Sequence, residues 1–185
     1  SGTTLVEQII SSHTQVTGAG ELHYAQQFGE NLALGLTIPT IKTVSVFRKR
    51  YLTELAKRAG GKSFITDKMP QNFLFIALIC AALPEAKIIH MQRNAEATCW
   101  SNFKHCFSSK GLGYSYNLKD TAKYFNLYKD LMQFWHQSCN DRIYNCEYDK
   151  LTENQEVETR RLIKYLDLNW QDACLAPHKN NRPVS

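Results

Sequence analysis

Ala86-Lys87-Ile88-Ile89-His90-Met91 leads through Arg93-Asn94 into Ala95 to Phe107. The first six residues are β-rich and predict a strand, which breaks at Arg93-Asn94. The spacing that follows predicts a helix over Ala95 to Phe107. A short strand turning into a longer helix is the repeating unit of an α/β fold, and the unit recurs on both sides of this stretch.

Towards the N-terminus, Ser63 to Asp67 reads as a short strand and Gln71 to Leu83 as a helix. Val16 to Gly20 is a short extended piece ending in glycine. Thr3 to Ser12, Leu22 to Leu34 and Val44 to Ala59 have helical spacing, the last stopped by Gly60-Gly61. Towards the C-terminus, a loop over Ser108 to Asn117 precedes a long helix over Leu118 to Gln137. Arg142 to Tyr148 then reads as a strand and Glu153 to Leu166 as a helix. The expected architecture is one α/β domain over residues 1–185, a central parallel sheet flanked by helices in three layers. In such sheets ligands bind beyond the carboxyl ends of the strands. Glu21, Lys68 and Arg93 each follow a predicted strand.

Composition narrows the function classes. With 185 residues, 43% hydrophobic and 21% charged, the chain has the balance of a soluble globular protein. No apolar run reaches the length of a membrane span. A net charge of +5 suits a small anionic ligand but falls short of a nucleic-acid footprint. Arg48-Lys49-Arg50, the densest basic run, reads as a solvated helix face. The six cysteines form no CxxC and no zinc-like spacing with histidine. Reduced thiols, no signal peptide and a cytoplasmic protein are expected.

Three stretches carry anion chemistry. Ser1-Gly2-Thr3-Thr4-Leu5 runs directly into a helix, where free N–H groups, two threonine hydroxyls and the helix dipole can cradle an anion. A plain N-cap has the same composition. Arg93 can grip a phosphate in a bidentate fork, and Ser101, just over two helical turns on, can add a hydroxyl. Lys104 and His105 lie near the same face. Lys68 stands in Asp67-Lys68-Met69-Pro70-Gln71-Asn72, on a turn stiffened by Pro70. Glu21, after Gly20 at a strand end, is a candidate general base or a helix-start carboxylate.

These pieces in this order resemble the sulfotransferases that use 3′-phosphoadenosine-5′-phosphosulfate (PAPS). The likeness is to the bacterial domains found behind tetratricopeptide repeats and to the tyrosylprotein sulfotransferases. Gly20-Glu21-Leu22, Asp67 to Phe73, Trp100 to Lys104, Gly111 to Tyr114 and Tyr148-Asp149-Lys150-Leu151 extend it. The resemblance implies a P-loop-like fold, PAPS as cosubstrate with its bisphosphate PAP as product, and no metal. It implies that Ser1, Gly2, Thr3 and Thr4 surround the 5′-phosphosulfate, and that Arg93 and Ser101 hold the 3′-phosphate. It sets Tyr148 beside the adenine, Lys68 near the bridging oxygen, and Glu21 as the base. The cytosolic small-molecule branch has a base histidine two positions after the matching lysine. Pro70 stands there, which favours Glu21, with His23 and His13 as fallbacks. The resemblance also implies a first core strand before Ser1 and a basic closing loop after Ser185, so the chain is expected to lack the first strand of its sheet. The partners expected are the nucleotide and a hydroxyl-bearing acceptor: peptide tyrosine, glycan or metabolite. The rivals are a P-loop nucleoside-triphosphate enzyme, which lacks its Gly-x-x-x-x-Gly-Lys-Ser/Thr run here, and a non-catalytic module on the same fold.

Overall fold

A computed structural model describes residues 2–105 and 112–180, so Ser1 and Cys106 lie outside the described residues. The elements run α1 (Thr3–Ser11), β1 (Val16–Gly18), α2 (Tyr24–Ala33), α3 (Ile41–Ala56), β2 (Phe64–Thr66), α4 (Ile76–Ala82), β3 (Ile88–Gln92), α5 (Ala95–Lys104), α6 (Leu118–Ser138), β4 (Ile143–Glu147), α7 (Tyr148–Glu153) and α8 (Gln155–Tyr165). This is an α/β chain of short parallel strands and many helices.

The strands differ from the expectation in one respect. Among the described residues they form two parallel ladders, β1 with β2 and β3 with β4, instead of one continuous sheet. Val16 pairs with Phe64 and Gly18 with Thr66, while Ile88 pairs with Ile143 and Gln92 with Glu147. Burial, and not a shared ladder, joins the pairs. Val16 of β1 and Cys146 of β4 lie in one core with Val6, Ile9 and Ile10 of α1 and Leu162 and Ile163 of α8.

Strand alternation puts helices on both faces of the β3–β4 ladder. Ile89, Met91, Tyr144 and Cys146 face the α1–α8 core. Ile88 and Ile143 face the other way, onto Met132 of α6 and Ile76 of α4. A third cluster packs α2, α3 and α4 together through Ala25, Phe47, Tyr51 and Leu78. No helix of the described residues is long and apolar enough to cross a membrane.

Local chemistry explains the boundaries that differ. Helix α3 starts at Ile41, before the expected Val44, because Thr40 and Thr43 form a reciprocal capping box. The expected helix over Gln71 to Leu83 opens as a 3-10 turn, Pro70–Phe75, and becomes α-helical from Ile76. β4 ends at Glu147, and Tyr148–Glu153 forms the separate helix α7. Tyr148 reads as a strand residue by its aromatic ring, yet Leu151 of the same turn drops into the core. Asn94 caps α5 by accepting the Ala97 N–H, which is why the chain turns after Arg93.

Arg142 ties β4 to the end of α4. Its guanidinium donates to the carbonyls of Cys80 at 2.9 Å, Leu83 at 2.7 Å and Ala86 at 2.8 Å. Such carbonyls have no intrahelical partner, and a planar fork of donors fits them. Arg142→Met is expected to lower stability by about 3 kcal/mol in urea unfolding. Arg161→Met, on the exposed side of α8, is expected to cost under about 0.5 kcal/mol.

Candidate active site

The ends of β1 and β2 bring two expected residues into contact. Lys68 Nζ donates to Glu21 Oε1 at 2.7 Å. The Lys68 side chain is 7% exposed and that of Glu21 43%. A buried ammonium needs a carboxylate close by to offset lost hydration, and Glu21 supplies it while keeping one side open to solvent. The backbone sets the same geometry, since Lys68 N–H donates to the Gly20 carbonyl at 2.9 Å. Gly20 has φ 75°, a left-handed conformation that glycine adopts without steric cost.

The turn bearing Lys68 is fastened from behind. Tyr51 of α3 donates to Asp67 Oδ2 at 2.6 Å. Burial raises the Asp67 carboxyl above the usual carboxylate range. Burial and the Asp67 charge push the Tyr51 phenol far above its ordinary value.

The ends of β3 and β4 bring together three more. Because Gln92 pairs with Glu147, Arg93 and Tyr148 leave the ladder side by side. The Arg93 guanidinium lies over the Tyr148 ring, 4.5 Å from its centroid. The same ring packs on Gly2, where a Cβ would stand 2.5 Å from Tyr148 Cδ2. Gly2 has φ 93° and caps α1 with no side-chain hydrogen bond. The N–H groups of Thr3 and Thr4, which have no intrahelical partner in the first turn of a helix, follow directly on this glycine. Thr3 and Thr4 are half-buried at that end.

Helix α1 links the two halves. Gly2 stands at its start, and Glu7 lies one turn further in, 4% exposed. Glu7 Oε1 accepts from Gly20 N–H at 2.9 Å and from Thr66 Oγ1 at 2.8 Å.

A model of the sulfotransferase family matches residues 40–172. The chain belongs to the sulfotransferase family. The matched stretch contains Lys68, Arg93, Ser101 and Tyr148, and begins after Gly2 to Thr4 and Glu21. Over its whole length the chain is 32% identical to an uncharacterized protein of Aquifex aeolicus, spanning 26% of that protein. It is 23% identical over 95% of its length to a protein-tyrosine sulfotransferase of Drosophila melanogaster, spanning 38% of that enzyme. A putative protein-tyrosine sulfotransferase of Caenorhabditis briggsae is 24% identical over 97% of the chain, which spans 66% of it. The sulfotransferase domain of the curacin biosynthetic pathway has the same fold, with a TM-score of 0.65 at 15% identity over 98% of this chain and 75% of that one.

The other candidate residues sit as follows in this member of the family. Ser101 is half-buried on α5, and its carbonyl accepts from His105 Nδ1 at 2.8 Å. His23 is exposed at the cap of α2. His13, a fallback base, is 1% exposed: Nδ1 accepts from Gln15 N–H and Nε2 hydrogen-bonds the Asn169 carbonyl. Its polar atoms hold loops together, which removes it from the candidates. Among the described residues no three His, Cys, Asp or Glu side chains form a metal-holding group.

Sequence reasoning missed the polar cluster between the β3–β4 ladder and α6. His90 Nε2 hydrogen-bonds the Tyr128 hydroxyl, and Nδ1 lies 3.0 Å from Asn145 Oδ1. His136 Nε2 is 3.3 Å from the same nitrogen. The available signal was ladder register, which sets His90 opposite Asn145. Burial, aided by the nearby His136, pushes the His90 imidazole from 6.5 down to about 4. Below about pH 6.5 the unfolded chain takes up a proton at this histidine that the native chain refuses until about pH 4. Stability from this group is therefore present above that window and is lost as pH falls through it. Urea unfolding at pH 7 and pH 5 should show a smaller acid loss for His90→Gln than for the wild type.

Proposed function

We propose that this chain transfers a sulfuryl group from PAPS to an acceptor hydroxyl, using a P-loop-like site at Gly2 to Thr4. The observation that carries the reading is the Lys68–Glu21 pair at 2.7 Å, tied through α1 to the Gly2–Tyr148–Arg93 column. Family membership supports PAPS as the donor.

The residues suit that ligand. Open N–H groups behind a left-handed glycine, with the positive end of a helix, fit a phosphosulfate. Arg93, braced on Tyr148, offers a planar fork for a second phosphate, with Ser101 on the helix that follows. When bound, the donor supplies an electrophilic sulfur: the acceptor O–S bond forms, the bond from sulfur to the phosphate oxygen breaks, and the acceptor proton is released. Glu21 is the group to take that proton, because its carboxylate reaches solvent. Lys68 keeps a buried positive charge beside it, where it is effective against developing negative charge. The fly and nematode relatives are named for action on protein tyrosine, which makes peptide tyrosine the acceptor to test first.

Calorimetry on the full-length protein is expected to show tight binding of adenosine 3′,5′-bisphosphate and weak binding of ATP with Mg²⁺. The reverse order would favour the P-loop nucleoside-triphosphate reading. With radiolabelled PAPS and a tyrosine peptide, Glu21→Gln should lower kcat by about 100-fold or more while bisphosphate affinity holds. Arg93→Ala should remove the preference for a 3′-phosphorylated nucleotide over its 5′-monophosphate. Transfer at the wild-type rate by Glu21→Gln would remove that residue from the mechanism.

A further inference from the structure

We infer that Glu7 is the positioning residue of the Lys68–Glu21 pair: it fixes where the proton-taking carboxylate stands relative to the anion-holding end of α1. The inference rests on the sulfotransferase reading above and deepens it.

Glu7 is a carboxylate 4% exposed on a helix that also buries Val6, Ile9 and Ile10. A buried acidic group is costly unless its oxygens accept hydrogen bonds. Glu7 Oε1 takes two, from the Gly20 N–H at 2.9 Å and the Thr66 hydroxyl at 2.8 Å. Neither donor is incidental. Gly20 is the residue before Glu21, and Thr66 ends β2 two residues before Lys68. Both backbone groups of Gly20 are held, since its carbonyl accepts the Lys68 N–H at 2.9 Å. One oxygen of α1 thus touches both segments that carry the pair.

The same helix begins at Gly2, and four residues of helix separate Thr3 from Glu7, about 6 Å along the axis. The start of the donor grip and the anchor of the Glu21 segment are therefore two points on one helix. Loss of the Glu7 oxygen frees Gly20 to move, and Glu21 moves with it. A displacement of about 1 Å at a reacting group can cost about 100-fold in rate while leaving the nucleotide grip intact.

The bonds from Gly20 and Thr66 ask for an acceptor oxygen, not for charge. Glu7→Gln keeps a carbonyl in place and is expected to retain kcat within about threefold of wild type. Glu7→Met keeps the volume and removes the acceptor. It is expected to lower kcat about 100-fold, with adenosine 3′,5′-bisphosphate affinity changed less than about threefold. Thr66→Val removes one donor without a cavity and should lower kcat about tenfold in the same pattern, which keeps the test open if Glu7→Met does not fold. Amide hydrogen exchange gives a readout that needs no turnover: Gly20 and Lys68 should exchange at least about tenfold faster in Glu7→Met, or in Thr66→Val, with β3 amides unchanged. Wild-type kcat in a folded Glu7→Met or in Thr66→Val overturns the inference. So does an equal loss in Glu7→Gln and Glu7→Met. If the wild type transfers no sulfuryl group, the functional reading fails, whereas unchanged Gly20 exchange would count against the Glu7 anchor alone.

Discussion

Val6, Ile9 and Ile10 of α1 bury against Val16 of one ladder and Cys146 of the other, and this shared burial aligns two strand pairs that exchange no ladder hydrogen bonds. Each such side chain contributes about 1.5–3 kcal/mol when fully withdrawn from water. The seating of α1 sets the distance between the β1–β2 ends, which carry Glu21 and Lys68, and the β3–β4 ends, which carry Arg93 and Tyr148. A cavity at Ile9, which is wholly buried, would therefore disturb the site as well as the core.

The electrostatics follow from that packing. One buried ammonium, Lys68, stands near three carboxylates: Glu21 in direct contact, Asp67 next to it in the chain, and Glu7 on α1, bonded to Thr66 two residues before it. Burial raises Asp67, and the nearby Glu7 charge raises it further. So much negative charge suits proton uptake from a hydroxyl but opposes an anionic donor. The opposing terms lie at the far end of α1, in the open helix terminus at Gly2 and the guanidinium of Arg93. On the proposed function, separating the two along one helix would let a single small site favour both ligands.

How much of this could be read from the sequence depended on whether a residue's role is local. Glu21, Lys68 and Arg93 stand where strands break, and strand breaks are marked by turn and cap residues, so their placement was legible. Asn94 shows this, since its cap decides where Arg93 points. Tyr148, by contrast, read as part of its strand and came only with the family resemblance. Glu7 was not legible: one glutamate among α1's apolar residues reads as a solvent-facing position, and its partners lie 13 and 59 residues away. His13 failed for the same reason, because the loop that buries it comes from Asn169. The pairing of strands into two ladders also depends on distant packing, and local spacing carries no trace of it.

Tyr148 links the start of α1 to Arg93. Its ring bars a side chain at Gly2 on one contact and supports the Arg93 guanidinium on another. A cation over a ring face gains more as water is excluded, so a ligand that covers Arg93 would tighten this stack. On the proposed reading, a ligand held at Arg93 would then bear, through this one aromatic ring, on the glycine that opens α1 as well.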